Sequence, residues 1–352
     1  MMTTPELREK INTLPRVKLT ELPTPFHELK RLARELGGPR LFMKRDDLTG
    51  LAFGGNKTRM FEFLLENALQ EGADCIIGGA AVQSNYARQL TAACAMLGLE
   101  CHLVLRRIRG AADDQVQGNI LLDLLAGAKV HVIDADPEAQ AAAMYRLASK
   151  LEGQGKHPVV VRMANDSDLT PDVAAYIECF CEIVEQSEAL GIRPTHVYTA
   201  SYDSTQAGLE LANEALGTGI TVVGISPADW GGDIAAGITR YANQAAENLG
   251  LVCRVDGKRV INTKEYIGRS YGIPTKEGLH MLKRTAALEG IFLDPVYTSK
   301  AMAALADHIH TGRLTHDDTV VFLHTGGSAV LFAYTNELSA LNLEQNLSED
   351  GL

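Results

Sequence analysis

Two periods of hydrophobic and polar positions alternate along this chain. Short runs rich in β-branched and other apolar residues at 41–44, 101–105, 129–133, 157–161, 196–199, 221–225 and 319–323 read as strands, and another apolar run ends in Gly78-Gly79. Between them lie stretches with apolar residues three and four apart. Over 56–70, Met60, Phe63, Leu64 and Ala68 share one face and Gly72 follows the end, which predicts an amphipathic helix. The same pattern predicts helices over 84–97, 119–125, 137–151, 171–190, 234–248, 276–288 and 299–308, and one opening at Ser204. Strand followed by helix, repeated, predicts an α/β protein built on parallel sheets. With 352 residues and no Pro- or Ser-rich linker, the chain has room for two closely joined domains sharing a cleft.

Composition narrows the class. Hydrophobic residues make up 46% and charged residues 22%, the balance of an ordinary globular protein. The net charge of −11 speaks against general affinity for nucleic acid or anionic membrane. The one compact basic run, Arg106-Arg107-Ile108-Arg109, reads as a solvated loop after a strand. No apolar run is long enough to span a membrane and the first residues lack a signal-peptide pattern, so a cytoplasmic location is expected. Six scattered cysteines without Cys-x-x-Cys spacing read as reduced core thiols, and no metal site is expected. His308-x-His310 reads as an exposed helix end, and His324 as a structural histidine at a strand end.

Five segments carry candidate chemistry. Lys57 follows Gly54-Gly55-Asn56 at a predicted helix start, where backbone can approach a ligand closely and N–H groups favour an anion. Gly78-Gly79 runs on to Gln83-Ser84-Asn85 at another helix start, with donors suited to a carboxylate; a plain Ser cap is the alternative. Ser204-Thr205-Gln206-Ala207-Gly208 opens a helix after a strand, the geometry of a phosphate seat, and a simple helix cap is again the alternative. Tyr271, and Tyr297 after the turn Asp294-Pro295-Val296, offer phenols that could face a cleft or simply pack in the core.

Taken together, these segments resemble the D-cysteine desulfhydrase and 1-aminocyclopropane-1-carboxylate (ACC) deaminase family of pyridoxal 5'-phosphate enzymes. The ordered matches run from Leu22-Pro-Thr-Pro25 through Phe53-Gly-Gly-Asn-Lys-Thr-Arg59, Gln83-Ser-Asn85, Gln117-Gly-Asn-Ile-Leu-Leu-Asp123, Ser204–Gly208, Tyr271-Gly272 and Asp294-Pro-Val-Tyr297 to His324-Thr-Gly-Gly327. The resemblance implies the tryptophan-synthase-β-like arrangement, fold type II. That is two open, twisted, mostly parallel sheets flanked by helices, with the cofactor between a large domain (1–52 plus 163–352) and a small one (53–162). It implies Lys57 as the covalent cofactor lysine and proton shuttle. Ser84 and Tyr297 join Lys57 as catalytic residues. Gln83, Ser84, Asn85, Tyr271 and Tyr297 would hold an amino-acid substrate. Asn85, Ser204, Thr205, Gln206, Ala207, Gly208 and Thr325 would hold the cofactor, Thr325 at its ring nitrogen. A homodimer is expected.

The implied reaction is α,β-elimination from a β-substituted amino acid, with D-cysteine giving pyruvate, sulfide and ammonia. Cysteate lysis, ACC deamination and cofactor binding without turnover are the alternatives. Thr298 and Thr325 disfavour the ACC reading, because ACC deaminases place Glu directly after the tyrosine and lack the threonine. Two departures from the family pattern touch the pocket. Tyr202, Asp203 or Ser204 stands where the phosphate loop usually has glycines, and Val161-Arg162-Met163-Ala164-Asn165-Asp166 replaces a Gly-Gly-Ser segment, making Arg162 either an anion contact or a surface residue. Trp230 with Gly231-Gly232 suggests a loop near the cleft.

Overall fold

The computed structural model of the protein describes residues 1–161, 168–229 and 231–341; Arg162 to Asp166 and Trp230 lie outside the described residues. The elements in chain order begin with α1 (Thr4–Ile11), β1 (Phe26–Glu28), α2 (Lys30–Leu36), β2 (Arg40–Lys44) and α3 (Lys57–Gln70). Next come β3 (Cys75–Ala81), α4 (Asn85–Leu97), β4 (Glu100–Arg106), α5 (Gly118–Leu125), β5 (Lys129–Ile133), α6 (Pro137–Glu152) and β6 (Pro158–Val161). The chain continues with α7 (Thr170–Ala189), β7 (His196–Ala200), α8 (Ser204–Leu216), β8 (Thr221–Ile225), α9 (Ile234–Asn248) and β9 (Ile261–Thr263). It ends with α10 (Lys276–Glu289), α11 (Thr298–His310), β10 (Thr319–Leu323) and α12 (Thr335–Leu338).

These strands form two sheets. The six-stranded one has the order β1-β2-β10-β7-β8-β9 and is parallel except for the edge pair β1–β2. The four-stranded one, β5-β4-β3-β6, is parallel throughout. Register aligns Lys44 with Leu323 and Leu323 with Thr199, so β2, β10 and β7 end side by side. The loops leaving those ends carry 45–57, 324–327 and 201–205. The end of β3 delivers Gln83-Ser84-Asn85. Ligands in open α/β sheets sit at such carboxyl ends.

The main core surrounds α7, whose Val173, Tyr176, Ile177 and Phe180 are fully buried against α3 and α8. Gly208 makes this packing possible, since a Cβ there would lie 2.5 Å from the Val173 carbonyl and from Tyr176 Cβ. A second cluster, with Met43, Leu293, Met302 and Phe322, fills the other face of the large sheet.

The α/β expectation and most element positions agree with the structure. The periodicity misses α1, β1, α2, β9 and the four-residue α12, and each three-residue strand is too short to show a period of two. For α1 a signal is present in Thr3 and Glu6, which form a capping box. The reading of His308 as exposed is corrected: only His310 is exposed, and His308 is buried with Nδ1 2.7 Å from the Tyr198 hydroxyl.

Candidate active site

Lys57 opens α3 and is half-buried. The turn before it is unusual: Ala52 and Phe53 have φ of 47° and 65°, and Gly54 and Gly55 have 67° and 132°. The two non-glycines are in the left-handed region, costing roughly 1–3 kcal/mol each. Buried Arg88 of α4 holds the turn, donating to the carbonyls of Ala52 and Gly54 while its Nε donates to Asn119 Oδ1 at 2.9 Å. Burial lowers its pKa to about 10. Gly55 has no room for a side chain, because a Cβ would lie 2.5 Å from Gln89 Nε2.

The other side of the first α3 turn is anchored by charge. Arg59, fully buried, donates to Asp46 through Nε and Nη2 at 2.9 and 2.8 Å and to Glu182 through Nη1 and Nη2 at 2.8 and 2.9 Å. Lys44 Nζ lies 2.5 Å from Glu182, and the Tyr176 hydroxyl donates to Asp46 at 3.0 Å. Two cations thus balance two carboxylates. Burial alone would raise both acids, yet Arg59 and Lys44 hold Asp46 and Glu182 below their ordinary values.

Asn56 ties three loops together. Its N–H donates to the Thr325 carbonyl at 3.0 Å, and its Nδ2 lies 3.3 Å from Thr205 Oγ1. Gly326 presses on the lysine turn so closely that a Cβ would lie 2.6 Å from Gly55 Cα, and a Cβ on Gly327 would lie 2.9 Å from Asn85 Nδ2. Asn56, the residue before Lys57, thereby links the Thr205 and Thr325 loops, and the Gly326-Gly327 turn packs close to both the lysine turn and Asn85. His324 is structural, as read: Nδ1 accepts the Gly326 N–H and Nε2 faces the Phe292 carbonyl at 3.1 Å.

Ser84 caps α4, its Oγ accepting the Tyr86 and Ala87 N–H groups at 3.1 and 3.3 Å. Asn85 follows, its Oδ1 accepting from Asn119 Nδ2 at 2.9 Å. Gln83 is committed to the start of α5: Nε2 donates to the Gln117 carbonyl and Oε1 accepts the Asn119 N–H, each at 2.9 Å. Gln83 and Asn85 line a small cavity with Tyr271, Tyr297 and Arg109. The two phenol oxygens are 2.5 Å apart. Desolvation, then the neighbouring Tyr271, hold Tyr297 far above the usual phenol range, so it is a proton donor at neutral pH. Asp294 aims it by accepting the Val296, Tyr297 and Thr298 N–H groups at 2.8, 2.9 and 2.7 Å. The Thr298 hydroxyl is turned onto Asp294 at 2.7 Å. Arg109 corrects the sequence reading: its side chain is 3% exposed and inside the site. Nothing in a short basic run distinguishes that arginine from Arg106 and Arg107.

At the start of α8, Ser204 and Thr205 are buried near Asn56. The Ser204 N–H is taken by Asp203 Oδ1 at 2.7 Å, the Gln206 N–H by Ser201 Oγ at 3.0 Å and the Ala207 N–H by the Asp203 carbonyl at 3.1 Å. Gln206 points to the sheet edge, donating to the Ile261 carbonyl at 2.9 Å. A pyridoxal phosphate needs an amine, an uncharged or acidic partner for its ring nitrogen, and an anion seat. Lys57 and the buried Thr325 would answer the first two needs, and the helix start would offer the third. The residues fit, provided the Asp203 carboxylate turns off the Ser204 N–H when phosphate arrives.

Comparisons with known proteins agree with the fold. The family model described as pyridoxal-phosphate dependent enzyme matches residues 17–326. D-cysteine desulfhydrase of Salmonella typhi is 36% identical over 328 residues, 92% of this chain and 97% of that protein. The crystal structure of an ACC deaminase homologue is 34% identical with a TM-score of 0.85, covering 96% of this chain and 99% of that one. Escherichia coli diaminopropionate ammonia lyase shares the fold, with a TM-score of 0.67 at 15% identity over 97% of this chain and 91% of its own. The chain therefore belongs to the pyridoxal-phosphate dependent enzyme family.

Proposed function

We propose that the protein is a carbon–sulfur lyase that converts D-cysteine and water to pyruvate, sulfide and ammonia. The carrying observation is the contact path from the Lys57 turn through Gly326, Gly327 and Asn85 to the Tyr271–Tyr297 pair. An amine able to take a proton and a phenol able to give one then stand at the two ends of this path, the pair of groups that β-elimination requires. The 36% identity to D-cysteine desulfhydrase supports the choice of substrate.

When bound, pyridoxal phosphate withdraws electrons from the substrate's α-carbon and so makes its proton removable. Lys57 is the covalent cofactor lysine and takes that proton. The electron pair moves to form the Cα–Cβ double bond as the Cβ–S bond breaks, and Tyr297 gives its proton to the departing sulfur with Tyr271 at its oxygen. Hydrolysis of the three-carbon fragment releases pyruvate and ammonia. Ser84 and Asn85, at the positive end of α4, hold the substrate carboxylate, and Gln83 supports them by fixing Asn119. Thr325 gives the ring nitrogen a neutral partner. Ser204 and Thr205 take the phosphate, with Gln206, Ala207 and Gly208 completing the helix turn that presents it.

A homodimer in the cytoplasm is part of this reading. Exposed Leu121, Leu124 and Leu125 on α5, with Phe332, support the dimer, and sedimentation velocity tests it. No helix among the described residues is long and apolar enough to cross a membrane. The reaction is tested by measuring pyruvate from D-cysteine and 2-oxobutanoate from ACC with the purified protein. Likeness to an ACC deaminase homologue favours the second activity as the alternative. Production of 2-oxobutanoate without pyruvate overturns the proposal.

A further inference from the structure

An asparagine side chain can face a neighbour with its oxygen or with its amide nitrogen, and the choice reverses what it offers elsewhere. For Asn119, the second residue of α5 and fully buried, two neighbours make that choice. Arg88 has donors only, so its Nε, 2.9 Å away, requires the Asn119 oxygen. The Gln83 carbonyl is an acceptor only, so at 3.0 Å it requires the Asn119 nitrogen. Both demands give the same orientation. Asn119 Nδ2 is therefore the group that meets Asn85 at 2.9 Å, and a donor there holds the Asn85 side chain with its oxygen inward. The Asn85 amide nitrogen is left against the Gly326-Gly327 turn, where a Cβ on Gly327 would come within 2.9 Å of it. Asn85 is half-buried and lines the cavity beside Tyr271 and Tyr297, and among the described residues none accepts from its Nδ2.

We propose that Asn119 is a positioning residue: by relaying the donor character of Arg88 it makes Asn85 present N–H, and not oxygen, to a ligand oxygen in the cleft. This rests on the reading of Asn85 as a ligand contact given above. The ligand oxygen belongs either to the substrate carboxylate or to the cofactor ring, and each is an acceptor that an amide oxygen would repel. The relay cannot drift, because the Asn119 backbone N–H is itself tied to Gln83 Oε1 at 2.9 Å. Its far end is fixed too. The same guanidinium donates to the carbonyls of Ala52 and Gly54, so one buried cation sets both the lysine turn and the polarity of Asn85.

Asn119→Asp keeps the shape and removes the donor that faces Asn85. Arg88 keeps the new carboxyl ionised, so Asn85 turns its nitrogen inward and its oxygen to the cleft. Two titrations read the result, and neither needs turnover. Pyridoxal phosphate is titrated into the apo-protein by fluorescence quench. Alanine, in the hand that shifts the cofactor absorbance, and its amide, which lacks the carboxylate charge, are titrated into the holoenzyme. If the oxygen is the substrate's, Asn119→Asp binds alanine about 10- to 100-fold more weakly and the amide is affected less; if it is the cofactor's, pyridoxal phosphate weakens by that factor. Either result supports the relay. A charge at position 119 can also repel an anion directly, so both titrations are repeated on an Asn85→Ala background. There the relay predicts no further effect beyond about twofold, whereas direct repulsion gives the same loss in both backgrounds. Thermal melts establish folding; if Asn119→Asp does not fold, Asn119→Ala, which frees Asn85 without reversing it, should give a smaller loss that is likewise absent on Asn85→Ala. Affinities unchanged by Asn119→Asp while Asn85→Ala weakens one of them, or losses that add in the double variant, overturn the proposal. If Asn85→Ala weakens neither, the reading of Asn85 fails and the proposal falls with it. Absence of pyruvate from D-cysteine defeats only the lyase reading, and the two titrations still judge Asn119.

Discussion

Replacing Arg59 by methionine should be among the most destabilising changes outside the cavity. The side chain is fully buried, and its loss leaves Lys44 as the one cation facing Asp46 and Glu182, a net charge of minus one in a dry site. Removing one partner of a buried ion pair costs about 3–5 kcal/mol, whereas the exposed pair Arg40–Glu28 is worth no more than about 1 kcal/mol. At roughly 2 °C per kcal/mol for a chain of this size, Arg59→Met should melt about 6–10 °C below wild type and Arg40→Met within about 2 °C of it. Adding Asp46→Asn to Arg59→Met restores neutrality and should recover part of the loss, an outcome simple loss of packing does not give. The pH dependence follows from the depressed acids. In wild type their contribution is present above the ordinary values of 3.8 and 4.5 and is lost as pH falls through the lower folded values. In Arg59→Met the unpaired acid prefers to be protonated, so the gap from wild type should narrow as pH drops towards about 5. Thermal unfolding by circular dichroism across pH measures all of this. A loss below about 1 kcal/mol for Arg59→Met, equal to that of Arg40→Met, refutes the argument that these charges are buried and coupled.

Three further outcomes are expected. Lys57→Ala should abolish both pyruvate formation and the borohydride-fixable cofactor adduct while the circular dichroism spectrum is retained; a retained adduct would place the covalent lysine elsewhere. Asp203→Gly should bind pyridoxal phosphate as tightly as wild type or more tightly in a fluorescence-quench titration, because the carboxylate on the Ser204 N–H competes with the phosphate. Tyr297→Phe should lower kcat at least about tenfold with little change in cofactor affinity, the scale of one proton-transfer contribution. Because the Tyr297 phenol titrates far above its usual value, wild-type activity should show no loss from tyrosine ionisation between pH 7 and about 10.

Most of the site's location was readable because its residues sit on turns with strong local grammar. Gly54-Gly55-Asn56-Lys57 announces a close approach, Ser84 is an N-cap, and Asp294-Pro295 precedes a helix. What could not be read is which side chains meet across the fold. Gln83 looks like a substrate donor in sequence, and its amide is taken up by Asn119 and Gln117, 36 and 34 residues away. Arg59 and Arg88 on helices and Arg109 in a loop are each buried by partners distant in the chain. Charged residues carry no periodic signature of burial. Only the three-dimensional pairing of Lys44, Asp46, Arg59 and Glu182 shows that their charges cancel.

The left-handed pair Ala52 and Phe53 has a consequence for how this protein can be made hardier. Glycine at either position would relax the backbone, and about 1–3 kcal/mol of relief outweighs or matches the roughly 0.5–1 kcal/mol lost to a freer unfolded chain. A search guided by melting temperature alone would therefore accept Ala52→Gly or Phe53→Gly. Yet Ala52 and Gly54, the neighbours of Phe53, are both held by Arg88, and this turn sets the angle at which Lys57 leaves it. A looser hinge there would spread the lysine over more orientations and slow every step it takes part in. Durability and speed are opposed at this one bend, so an engineer seeking a tougher catalyst should leave it as it is and look for gains on surfaces far from it.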